Sequence, residues 1–80
     1  MRLEEFKMER EGLLKVGDDV EIIEGVLPSA YYYTISPSVA MSGNYTLRER
    51  IKSDRGTVKE INENDKGYYV VVEFDEDQTL

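Results

Sequence analysis

The chain predicts a mainly β fold, a small barrel of about five short strands. Two stretches carry that expectation. From Arg55 to Asp77, two runs rich in β-branched and aromatic residues, Thr57 to Ile61 and Tyr68 to Phe74, flank the turn-forming cluster Asn62-Glu63-Asn64-Asp65-Lys66-Gly67. That is the pattern of a β-hairpin. From Leu13 to Gly25, the turn signal Gly17-Asp18 precedes Val20, Ile22 and Ile23, set in near alternation with Asp19, Glu21 and Glu24. This reads as a strand with one buried face, closed by Gly25. The second hairpin run is apolar on both sides, with Tyr69 and Val71 facing one way and Tyr68, Val70, Val72 and Phe74 the other. It is therefore expected at the centre of the sheet, covered on both faces.

At 80 residues the chain is expected to form a single domain, 1–80, close to the size at which one core supplies only a few kcal/mol of net stability. Nearly every large apolar side chain then has to lie inside. The absence of cysteine excludes disulfides and thiolate metal sites and makes a reducing cytoplasm the expected compartment. MRLEEFKMEREG lacks the apolar core of a secretory signal, and no run approaches the roughly 18 apolar residues that span a bilayer, so a soluble protein without membrane contact is expected. A net charge of -7 repels nucleic acid and anionic lipid at long range. Histidine is also missing, which removes the commonest general base. No nucleophile stands near the remaining carboxylates, so no enzyme is expected: catalytic residues none, cofactors none.

Taken in order, residues 1–12 place Leu3, Phe6, Arg10 and then Leu13 or Leu14 about one helical face apart, which predicts a short amphipathic helix ending at Gly12. The competing reading is an extended arm, because Phe6 and Met8 also fit a period of two and so short a helix is marginal. Residues 13–77 are assigned to the barrel. Asp18, Asp19, Glu21 and Glu24 lack the ligand spacing and central glycine of a calcium loop and read as a solvated strand face, so no metal ligands are expected.

Residues 26–54 form a long excursion. Its first part is almost uncharged and holds both prolines, and Tyr31-Tyr32-Tyr33-Thr34-Ile35 has the propensity of a short strand. In a strand the middle tyrosine faces away from its neighbours, leaving one or two rings outside. Tyr31, Tyr32, Tyr33 and Tyr45 are accordingly the candidate residues for binding another protein or a second copy of the chain, since tyrosine offers a large apolar face and a hydroxyl at low entropic cost. The alternative is that two rings cover the core and one simply lies on the surface. Thr46 and Glu49 have the spacing of a capping box, which predicts one or two turns of helix near 47–52. Arg48, Arg50, Lys52 and Arg55 make this the one basic neighbourhood, a candidate nucleic-acid contact with Tyr45 beside it for stacking. The plainer expectation is surface ion pairs with acids of neighbouring strands. Glu73, Asp75, Glu76 and Asp77 form an acidic exit, and residues 78–80 are expected to fray.

Together, VGDDVEIIEG, RGTVKEI and YYVVVEFDE resemble the core of a Src-homology-3-like small barrel, of the kind found in KOW-type translation domains and in short bacterial and phage proteins of unknown function. The shared features are Val16-Gly17-Asp18 before a strand with Val20 and Ile22, Gly56 and Val58 at the start of a second, and a third with Val70, Val72 and a trailing acid. The resemblance implies a barrel and, through KOW units, nucleic-acid or ribosome association. The hairpin is similar also to the glycine-rich cytoskeleton-associated domain, whose GKNDG loop this chain lacks. In peptide-binding Src-homology domains the long loop after the first strand supplies aromatic residues, and Tyr31 to Tyr33 occupy a comparable position. The reading that follows is a non-catalytic protein-interaction or self-association module, with a basic nucleic-acid-binding domain as the alternative.

Overall fold

Alternating inward residues and short turns close the chain into one antiparallel barrel. The structure, a computed structural model, describes residues 1–37 and 39–76. Six strands follow in order: β1 (Arg2–Met8), β2 (Asp19–Leu27), β3 (Ala30–Ile35), β4 (Ala40–Met41), β5 (Arg55–Asn64) and β6 (Gly67–Phe74). Around the barrel they run β1-β4-β3-β2-β5-β6, with β6 closing on β1. Phe6, Ile22, Tyr33, Ile35, Val58, Val70, Val72 and Phe74 point inward and are buried, as period-two patterning requires. The fold is mainly β, with six strands where about five are expected.

The extra strand is the N-terminal segment. Instead of a helix over 1–12, β1 lies between β6 and β4 and pairs with β6 from Arg2↔Phe74 to Met8↔Tyr68. The period-two set Arg2, Phe6 and Met8 faces the core, and this ladder outweighs the weak helical preference of a segment too short to hold a helix alone. Gly12, expected to stop a helix, instead turns the chain at φ +83°.

The β5–β6 hairpin is longer and tighter than its sequence implies. Both strands run through the expected turn cluster, leaving only Asp65-Lys66 between Asn64 and Gly67. The Asn64 side chain accepts the Lys66 N–H at 2.8 Å, a local bond that fixes the turn. A bulge between Val58 and Glu60 shifts the register, so that Ile61 comes opposite Val70. Gly56 passes where a Cβ would lie 2.6 Å from Val72 and 2.8 Å from the Glu73 carbonyl, so glycine is required there. β6 is fully buried on one face only: Val70, Val72 and Phe74 are buried, whereas Tyr69, Val71 and Glu73 on the outer face stay partly exposed. The expectation of cover on both faces is corrected here, because closing a single sheet on itself covers only its inside.

The excursion 26–54 also proves more regular than expected. β2 continues through Gly25 to Leu27, turns over Pro28-Ser29 and returns as β3. In place of a one- or two-turn helix near 47–52 there is a single 3-10 turn at Leu47–Glu49, whose Glu49 carboxylate accepts the Thr46 N–H and hydroxyl at 3.1 and 2.9 Å. Arg50 has already left helical geometry, so no second turn forms. Asp77 and the tail 78–80 lie outside the described residues.

Candidate functional site

β3 sorts the tyrosines by face. Tyr33 points inward and is 1% exposed, Tyr31 points the same way nearer the barrel end and is half-buried against the core, and Tyr32 points out. The Tyr32 ring lies over Gly25 on β2, where a Cβ would fall inside it. Tyr45 packs against Tyr33 with ring centroids 5.7 Å apart, and its backbone pairs with that of Tyr31.

The segment 42–54, here called the strap, runs back along the barrel beside these rings and is fixed largely by side chains. Arg2, almost wholly buried, meets Glu4 at 2.6 Å and Glu76 at 3.4 Å and donates to the Glu49 and Arg50 carbonyls of the strap. Burial opposes its charge, yet Glu4 and Glu76 more than offset this and hold the guanidinium's proton tighter than usual. Glu76 accepts the N–H groups of Lys52 and Ser53 at 3.0 and 2.9 Å. The Tyr33 hydroxyl accepts the Ile51 N–H and donates to Glu24, both at 2.8 Å. Burial first, and then the Glu24 carboxylate, push the Tyr33 hydroxyl up to about 12. Burial and Glu4, which accepts its hydroxyl at 2.9 Å, likewise push Tyr45 up.

The four candidate cations separate into two pairs. Arg50 forms a bidentate contact with Glu24 at 2.6 and 2.8 Å and lies 5.0 Å over the Tyr31 ring. Arg55 stands 3.6 Å from Glu21. Both follow the plainer expectation of ion pairs with acids on a neighbouring strand. Arg48 and Lys52 have no carboxylate partner among the described residues. With Arg50 they line a cleft of about 520 Å³ that Arg2, Asp75 and Glu76 line as well. Asp18 and Asp19 are taken up by the Lys15 N–H and the Thr57 hydroxyl, and among the described residues no acids gather in a metal-holding group.

The feature not anticipated from sequence is the far half of β2. On one side β2 pairs with β3 through Leu27↔Ala30; on the other its ladder to β5 ends at Glu21↔Arg55. Tyr31 exchanges both backbone bonds with Tyr45, so its neighbours Ala30, Tyr32 and Thr34 turn toward β2 and bond Leu27, Gly25 and Ile23. Ile22, Glu24 and Val26 therefore turn the other way. Ile22 donates to the Asp54 carbonyl at 2.8 Å, and beyond it Glu24 and Val26 have no backbone partner among the described residues. Beside this edge lies a cleft of about 380 Å³ lined by Ile22, Glu24, Tyr33 and strap residues 50–54. The same half of β2 carries exposed apolar side chains: Ile23 at 56%, Val26 at 70% and Leu27 at 40%. Among the described residues no helix is long and apolar enough to cross a membrane. No protein-family model, curated protein or solved structure matches the chain.

Proposed function

We propose that the chain is a non-catalytic interaction module of the cytoplasm, a Src-homology-3-like small barrel that binds another protein or a second copy of itself through the β2–β3 hairpin. One observation carries this reading: Ile23 and Leu27 on the outer face of β2 and Val26 on its other face all stand exposed at the hairpin of a chain that is a third charged and carries -7. An apolar exception of that kind marks a contact surface on a small acidic protein. Met41, half-exposed beyond Thr34 in the same outer row, and the Tyr32 ring extend it. Tyr33 then serves as scaffold, and Tyr31 and Tyr45 shape the end of the barrel beneath the contact. Replacing Ile23, Val26 and Leu27 together by serine tests the reading, with binding to peptides from a random display library and sedimentation of the chain alone as readouts. The variant should keep the wild-type fold by circular dichroism and lose association; unchanged association counts against the site.

The nucleic-acid alternative draws on Arg48 and Lys52, the two of the four candidate cations that have no carboxylate partner among the described residues, which converge with Arg50 on one cleft. Titration with labelled single- and double-stranded oligonucleotides at low salt tests it, because phosphate contacts strengthen as salt falls. The absence of binding there removes that reading.

A further inference from the structure

We propose that the free edge of β2 takes up an extended segment of another protein as an added strand, and that this segment carries apolar residues at alternate positions and acidic residues beside them. This rests on the interaction reading above and names its mode and partner chemistry.

Glu24 and Val26 direct their N–H and C=O groups away from β3 into the space that β5 leaves when its ladder ends at Arg55. An unpaired edge is a template for another chain. Folded proteins guard such edges with charge, and here the guard is disarmed: the one ionic side chain from Ile22 to Leu27 is Glu24, held in a bidentate contact by Arg50. That contact holds the Glu24 carboxyl below the usual carboxylate range. Both faces of the edge are apolar, Ile23 and Leu27 on one and Val26 on the other, so an incoming strand buries side chains on either side as its backbone pairs. The cleft between Glu24 and the strap gives that strand room along the edge.

Charge selects the occupant. Lys52 lines this cleft and Arg48 the adjoining one, and neither has a carboxylate partner among the described residues. They are the local positive exception on a chain of -7. A second copy would bring the same excess of acid to the whole approach, whereas a short segment can set its few acids beside Lys52 and Arg48 and keep them clear of Asp54, Asp75 and Glu76, which line the same clefts.

The probe is a display library of random linear peptides panned on the full chain. Enriched peptides should alternate apolar residues and include acids, and Arg48→Glu with Lys52→Glu should remove the acid preference. Val26→Pro deletes the free N–H without taking a bond from β3, a substitution that strand edges tolerate. Binding of the selected peptides should fall by about tenfold or more, because a backbone donor is lost and its acceptor left unpaired. A synthetic chain N-methylated at Val26 should show the same loss, and Val26→Thr, which keeps the N–H, should not. Binding that survives both backbone changes but disappears in the triple serine variant overturns strand addition and leaves the interaction reading standing. Self-association abolished by Val26→Pro, with no peptide selected, overturns the proposed partner in favour of a second copy. Absence of both peptide binding and self-association overturns the interaction reading as well.

Discussion

Two strands leave the short β2–β5 ladder in opposite directions, and their free edges are furnished in opposite ways. Beyond Val58, β5 carries Lys59, Glu60, Asn62 and Glu63, all exposed, around one exposed apolar residue, Ile61, with a bulge between Val58 and Glu60. Charge and a bulge are the two common devices that keep a strand edge from pairing with a stranger. Beyond Glu21, β2 carries Ile23, Val26 and Leu27 with its only carboxylate neutralised. The same barrel thus blunts one edge and leaves the other open.

The largest effect is expected where the strap is clamped beside that open edge. Arg2→Leu strands Glu4 and Glu76 without their buried partner and frees the strap carbonyls it holds, at a cost of about 3–5 kcal/mol. That is comparable to the net stability of so small a domain, so chemical denaturation should show a chain largely unfolded in water. A chain that keeps wild-type stability would mean that the strap does not depend on Arg2. Tyr33→Phe is the next test. It leaves the Ile51 N–H without its acceptor and removes a donor from Glu24, lowering stability by about 1–3 kcal/mol in the same measurement. It should also delete a tyrosinate absorbance phase near pH 12. Because burial raises the Tyr33 hydroxyl in the folded chain, its contribution to stability is whole below the ordinary tyrosine value of about 10 and fades as pH rises through about 12.

Acid acts on the same clamp from the other side. The contacts of Glu24 with Arg50 and Tyr33 lower its carboxyl, and for Glu76 the strap N–H groups and Arg2 outweigh the opposing effect of burial. Both therefore bind protons more weakly folded than unfolded. Their contribution is full above the ordinary carboxylate value of about 4.3 and is lost as pH falls through the lowered folded values. Thermal melts taken down through that range should show Tm falling, and falling less in Glu24→Gln. The smallest stability effect belongs to the edge itself. Val26→Lys gives β2 the kind of guard that β5 already has, should change stability by less than about 0.5 kcal/mol, and should abolish association. Conversely, valine at Lys59, Glu60 and Glu63 should make β5 sticky, visible as concentration-dependent sedimentation.

What the sequence revealed depended on whether the deciding contact was local. The β5–β6 hairpin was legible because its turn formers and alternation act within one stretch. β1 was not, because seven residues fit both periods and only the ladder to β6 decides between them. Gly25 reads as a strand end, yet the Tyr32 ring occupies the space of its missing side chain, so β2 runs on to Leu27. Alternation separated Tyr32 from its neighbours but left open which face was inside; closure of the barrel, with the Tyr33 hydroxyl on Ile51, fixes that. The free edge itself was illegible, since it exists only because β5 begins to pair at Arg55, far along the chain from Val26.

Backbone amide hydrogen exchange, resolved residue by residue, tests that edge most directly. An open edge predicts alternation along β2: Ile23 and Gly25, bonded to β3, exchange slowly, whereas Glu24 and Val26 exchange at rates near those of unstructured chain. Uniform protection from Ile22 to Leu27 would mean that something within the chain already occupies the edge, and would contradict the account.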